Sequence, residues 1–141
     1  MRKQKTTRIV LDTHTFLWLM LGKELSQKIQ SLIETSAQNK ELYLSAISLW
    51  EIAMLENKGR IILSEPCLLW LQQATSIPGL NLVPLSAEIS VDSVNLPKSF
   101  HGDPADRIIV ATARQFNAVL FTRDKKILSY AKEGYVESVE I

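Results

Sequence analysis

The sequence predicts an α/β fold in which a parallel sheet carries helices on both faces. Short apolar, β-branched runs such as TRIVL at 7–11 and AVLF at 118–121 read as buried strands, each with an aspartate close behind it. Stretches with apolar residues at helical spacing separate these runs, and helix start and stop residues fall at their borders. Strands that alternate with helices require right-handed crossovers and therefore a parallel sheet.

The elements follow in order. The first strand, 7–11, stops at Asp12. Ser26 caps a helix in which Ile29, Leu32 and Ile33 recur at helical spacing, and ELYL at 41–44 is a second strand. Ser45 opens the next helix: Ile47, Trp50, Met54 and Leu55 recur at intervals of three to four, and Gly59 stops it. A helix over 66–77 ends at Pro78 and Gly79, a short strand lies around 82–83, and a helix runs from Ser86 to about 94. NLPKSFHG at 95–102 is a loop. The next helix covers 103–117 with Pro104 in its first turn, 118–121 is a strand, and 136–139 is a last short strand.

A chain of 141 residues is long enough to bury one core without disulfide or metal support, so a single domain over 1–141 is expected. Hydrophobic residues make up 46% and charged residues 22%, a globular composition rather than a disordered one. The apolar runs are too short to cross a bilayer, and MRKQKTTRIV lacks the long apolar stretch of a signal peptide, so a cytoplasmic protein is expected. Cys67, the single cysteine, sits in PCLLWLQQA as a small hydrophobe. The net charge of +1 announces no nucleic acid, so any such partner needs a local patch.

The acids carry the chemical signal. Asp12 follows the first strand directly, and Asp124 follows AVLF through Thr122 and Arg123. Both emerge at the carboxyl edge of a parallel sheet, where ligand crevices form, and they converge if their strands are neighbours. Glu51 lies in the second turn of a helix that starts from that edge, and Asp106 lies in the first turn of another, after Asp103 in HGDPADRIIVATA. Clustered carboxylates raise one another's pKa unless a cation neutralises them. Mg²⁺ or Mn²⁺ suits such a site, since hard ions take oxygen ligands from a few carboxylates, water and phosphate.

VLDTHTFLWLM, LSAISLWEIAMLENKGRI, HGDPADRIIVATA and AVLFTRDKKIL resemble the successive blocks of a PIN-domain nuclease, of the kind found in the toxin halves of bacterial VapBC toxin–antitoxin pairs. The resemblance spans nearly the whole chain. It places the four family acids on Asp12, Glu51, Asp106 and Asp124 as metal ligands, with Asp103 as an extra acid that could bind the metal or its water. Ala105 stands where the subgroup usually has a bulky aromatic. The resemblance also implies an α/β/α sandwich with a five-stranded sheet in the order 3-2-1-4-5, and hydrolysis of RNA by metal-activated water. A small antitoxin as partner belongs to the same implication.

Around the acids, Thr13, Ser45 and Thr122 are candidates to orient carboxylates, and Arg107, Arg123, Lys125 and Lys126 to bind RNA phosphates. His14 and His101 stay outside the catalytic set, because a metal that activates water needs no histidine. Trp18, Trp50 and Trp70, at helical spacing among leucines, read as core or dimer-interface residues rather than base-stacking platforms. The segments FLWLM and CLLWL suit apolar patches for a homodimer or an antitoxin, and equally a core.

Each acid also has a plainer role open to it. Asp103 and Asp106 can cap a helix, Asp12 and Asp124 can close turns, and Glu51 can be a solvated helical residue. Among other classes, a receiver-like phosphoacceptor would want an acidic pair directly after the first strand, and a haloacid-type phosphatase a second aspartate two residues after the first. Asp12 is followed by Thr13 and His14, which fits neither. A catalytically silent domain that only binds RNA or protein is the remaining alternative.

Overall fold

A computed structural model describes residues 8–141 except positions 24, 99 and 101, so Thr7 of the expected first strand and His101 lie outside the described residues. The described chain forms β1 (Ile9–Leu11), α1 (Thr13–Leu21), α2 (Gln27–Gln38), β2 (Leu42–Ser45), α3 (Ile47–Asn57) and α4 (Cys67–Ala74). It continues with β3 (Leu80–Val83), α5 (Ala87–Val94), α6 (Pro104–Phe116), β4 (Val119–Thr122), α7 (Lys125–Lys132) and β5 (Glu137–Glu140).

The five strands form one sheet in the order β3-β2-β1-β4-β5, every neighbouring pair parallel. This is the predicted α/β architecture and strand order. Successive strand residues point to opposite faces. Ile9, Leu11, Leu42, Leu44 and Phe121 pack on one side with Phe16, Ile33, Ile52 and Trp70. Val10 and Leu120 pack on the other with Ile109, Val110 and Ile127. All three residues of β1 are buried because both faces are covered, which is why IVL is uniformly apolar.

Capping residues set the starts of α2, α5 and α6 where the sequence places them, whereas α3 and α4 have no side-chain cap and α4 ends at Ala74, short of the expected stop at Pro78. Ser26 and Ser86 accept from the backbone N–H of Ile29 and Ile89, at 3.2 and 3.1 Å. Asn117 takes the left-handed conformation that ends α6, with φ 52°. β3 starts at Leu80, earlier than expected, and Gly79 before it has φ 86°. A Cβ at Gly79 would stand 1.8 Å from the Ala37 carbonyl oxygen, so only glycine lets the chain pass the end of α2 there.

Two helices stand where the sequence led to none being expected. α1 is apolar around most of its circumference, and α7 is a short amphipathic helix between β4 and β5. Both begin at an aspartate of the predicted site. β1 is the strand at which the order reverses: the chain leaves it for β2 and β3 on one side and returns to β4 on the other. The crevice of a sheet of this kind lies beyond the carboxyl ends of such a pair.

A carboxylate crevice at the switch point of the sheet

The pairing of Leu11 with Phe121 brings Asp12 beside Thr122. Asp12 is nearly buried and uses both carboxylate oxygens. Oδ1 caps α1 by accepting from the Thr15 N–H at 2.9 Å, and Oδ2 accepts from the Thr122 hydroxyl. The Thr122 oxygen in turn accepts from the Asp124 N–H at 3.0 Å. Asp124 caps α7 through one oxygen, Oδ1, which accepts from the N–H groups of Lys126 (2.8 Å) and Ile127 (3.1 Å). Its second oxygen is the one suited to a ligand.

Glu51 reaches the crevice from α3. The Thr13 hydroxyl donates to it and also hydrogen-bonds Ser48 Oγ at 2.9 Å. Asp103 caps α6 by accepting from the Asp106 N–H at 2.9 Å. Asp106 sits in the first turn of that helix. A Cβ on Gly102 would stand 2.2 Å from the Phe100 ring and 2.9 Å from the Asp106 Cβ, so glycine lets the loop pass close over Asp106.

These side chains line one crevice of about 360 Å³ that contains Asp12, Glu51, Asp103, Asp106 and Asp124. Its other walls include Thr13, His14, Trp18, Ile109 and Arg123. A larger depression of about 560 Å³ between α7 and β5 holds none of the five acids. Burial, followed by the charges of Asp103, Asp124, Glu51 and Asp12, pushes the Asp106 carboxyl up to about 7. Burial also raises Glu51, and the charges of Asp103 and Asp12 add to this, against the bond from Thr13 and the nearby His14.

Crowded carboxylates suit a cation, because an opposite charge relieves their mutual repulsion. Among the described residues, no group of three or more His, Cys, Asp or Glu side chains is placed to hold a metal ion by itself. Such residues suit a hard ion that keeps most of its water and takes one or two carboxylates better than they suit a zinc-type cage of protein ligands. Mg²⁺ and Mn²⁺ are such ions.

Several expected neighbours lie elsewhere. Arg107 does not face the crevice: its guanidinium donates to the carbonyls of Ser93 (2.9 Å) and Phe100, tying α6 to the end of α5 and the following loop. Ser45 caps no acid, and its hydroxyl accepts from the Ile47 N–H at the end of β2. Lys125 lies 3.8 Å from Glu140. Lys126 lines a neighbouring depression of about 340 Å³ with Lys98 and Tyr130. Arg123 alone of the four cations borders the acids. The tryptophans also divide: Trp70 is in the core, Trp50 is 57% exposed, and Trp18 lines the crevice instead of filling the core.

Ser48 was not singled out by its sequence context, although it precedes Glu51 by three residues and so lies on the same helical face. Lys98 carried no signal beyond its charge.

A chain with this sheet order and an acid crevice at the β1–β4 edge has the form of a PIN fold, and it belongs to the PIN domain family, whose pattern matches residues 9–133. It is 37% identical over 125 residues to Ribonuclease VapC22 of Mycobacterium tuberculosis, covering 88% of this chain and 92% of that protein. Among solved structures it is similar in fold to VapBC2 from Rickettsia felis bound to a promoter DNA fragment. The TM-score there is 0.68 at 17% identity, over 94% of this chain and 98% of that one. A toxin–antitoxin complex from Klebsiella pneumoniae gives a TM-score of 0.60 at 19% identity, over 94% of this chain and 99% of that one. No helix among the described residues is long and apolar enough to cross a membrane.

Proposed function

We propose that this chain is a Mg²⁺- or Mn²⁺-dependent endoribonuclease and the toxin of a toxin–antitoxin pair. The single observation that carries the reading is the crevice where Asp12, Glu51, Asp106 and Asp124, joined by Asp103, meet at the carboxyl edge of β1 and β4. The 37% identity to a ribonuclease of the VapC kind supports the choice of RNA and of a toxin role. The protein acts in the cytoplasm as a one-domain homodimer, with a small antitoxin as partner.

In this reading Asp12, Glu51, Asp106 and Asp124 would share the cation, one or two of them directly and the others through its water, and Asp103 would bind that water. The cation supplies charge neutralisation and polarisation of the phosphodiester and of water, without a side-chain nucleophile. The chain's own part is placement. Thr122 fixes Asp12 relative to Asp124, and Thr13 fixes Glu51. Arg123 offers positive charge to the phosphate at the rim, and Lys98, Lys125 and Lys126 extend it along α7.

The test is direct. Purified chain should cut RNA with Mg²⁺ or Mn²⁺, stop in EDTA and fail as Asp12→Asn. Expression alone should arrest growth, and co-expression with the product of the adjacent gene should relieve the arrest. RNA binding without cleavage in any divalent metal would instead make it a silent binding domain.

A further inference from the structure

The part of the crevice wall that is not carboxylate is chiefly Trp18, Arg123 and His14. The guanidinium carbon of Arg123 lies 4.5 Å from the centroid of the Trp18 ring. The rings of His14 and Trp18 are 5.9 Å apart and inclined by 50°. Arg123 Nε donates to the Ile141 carbonyl at 3.3 Å, so the arginine is held from two sides. Trp18 is half-buried, while His14 and Arg123 are exposed.

Trp18 belongs to no core cluster and carries the Arg123 guanidinium on its face. Phe16, on the same helix, meets Trp70 edge-on inside the core. Trp18 instead turns to the crevice. A guanidinium held over an indole by cation–π attraction loses little further freedom when a ligand arrives, and its plane is a surface on which nucleobases stack. A lone phosphate contact would need the charge of Arg123 but not an indole behind it.

We propose that Trp18 and Arg123, with His14 at the rim, form a seat for one unpaired nucleobase of single-stranded RNA, next to the phosphodiester held at the acids. The inference rests on the ribonuclease reading and deepens it. Paired bases are already stacked on their neighbours, so the seat selects loops and single strands over duplex. Every base has a π-face, so the seat discriminates unpaired from paired RNA more than one base from another.

The test uses the full chain and a single-stranded RNA decamer, intact or with an abasic nucleotide at each position in turn. Cleavage kinetics in Mg²⁺ or Mn²⁺ are compared for the wild type, Arg123→Lys, Trp18→Leu and Trp18→Phe. On intact RNA, Arg123→Lys and Trp18→Leu raise KM on the order of tenfold, and Trp18→Phe restores most of the loss. Arg123→Lys keeps the charge and so leaves the salt dependence of KM unchanged. One abasic position beside the cut raises the wild-type KM to a similar degree and costs the two impaired variants nothing more. Equal losses in wild type and variants at every abasic position, or an Arg123→Lys enzyme that matches the wild type, overturn the seat. If the wild type cuts no RNA, the ribonuclease reading falls, and the seat is judged by binding. The decamer must then quench tryptophan fluorescence in the wild type but not in Trp18→Phe, and equal quenching in both overturns it.

Discussion

The hydroxyl of Thr122 donates to the carboxylate of Asp12 while its oxygen accepts from the backbone N–H of Asp124, so one side chain ties together the ends of β1 and β4 and the start of α7. Thr122→Val keeps the shape and removes both bonds inside a buried site. A loss of about 1–3 kcal/mol in stability is expected from the stranded polar groups. Cleavage should fall at least about tenfold, since Asp12 is no longer oriented. Urea unfolding and RNA cleavage rates measure the two effects, and Thr122→Ser should recover most of both. A valine variant equal to wild type in both assays would refute the role given to Thr122.

Asp12 and Asp124 are helix caps as well as site acids. Asparagine caps a helix about as well as aspartate, whereas alanine does not. Asp12→Asn should therefore stay folded and lose cleavage on the order of a hundredfold or more, because the site loses a charge that would hold the proposed cation. Asp12→Ala should lose the same activity and about 1 kcal/mol of stability besides. Thermal melts beside activity assays separate the two; an asparagine variant that unfolds as readily as the alanine variant would contradict this division.

Asp106 gives a pH signature. Its carboxyl titrates at about 7 in the fold against 3.8 unperturbed, so between those values the folded chain holds a proton that the unfolded chain releases. Without a cation, stability must rise as the pH is lowered from about 7 toward about 4. Glu51, also raised, adds in the same direction. Melting temperature in EDTA should climb over that range, and Asp106→Asn should flatten the climb. Mg²⁺ competes with the proton, so its stabilising effect should be largest above about pH 7. A melting temperature in EDTA that falls on acidification through this window would disprove the coupling.

Arg107 has a structural task. It donates to the carbonyls of Ser93 and Phe100, so Arg107→Ala should cost about 1–3 kcal/mol and loosen the loop ahead of Asp103. The salt dependence of RNA binding should stay as it was, because no phosphate contact is removed. Filter binding across a salt series, paired with denaturant unfolding, decides it; a slope reduced by about one with stability intact would return Arg107 to the RNA.

The acids were legible because strands, turns and caps leave local marks, and the sheet order came with the resemblance of the motif blocks. The two unexpected helices, α1 and α7, begin at Asp12 and Asp124. In each, one residue is both cap and site acid, so the mark of a helix start is the same as the mark of a ligand. α1 is apolar along most of its length and packs on β1, β4 and α3, so it shows little helical period. The direction of a long side chain leaves no local mark at all. Arg107 and Arg123 look alike in sequence, yet one turns to backbone carbonyls and the other to an indole. Trp18 was hidden for the same reason, since a leucine-rich setting suggests a core that its own ring does not join.

The bond between Asp12 and Thr122 spans 110 positions of the chain. The central strand β1 thus waits for a partner far along the chain, and non-local pairing of this kind forms slowly. No nascent fragment that stops short of β4 owns a crevice. A chain arrested before β4 carries its first acid without the site that acid belongs to.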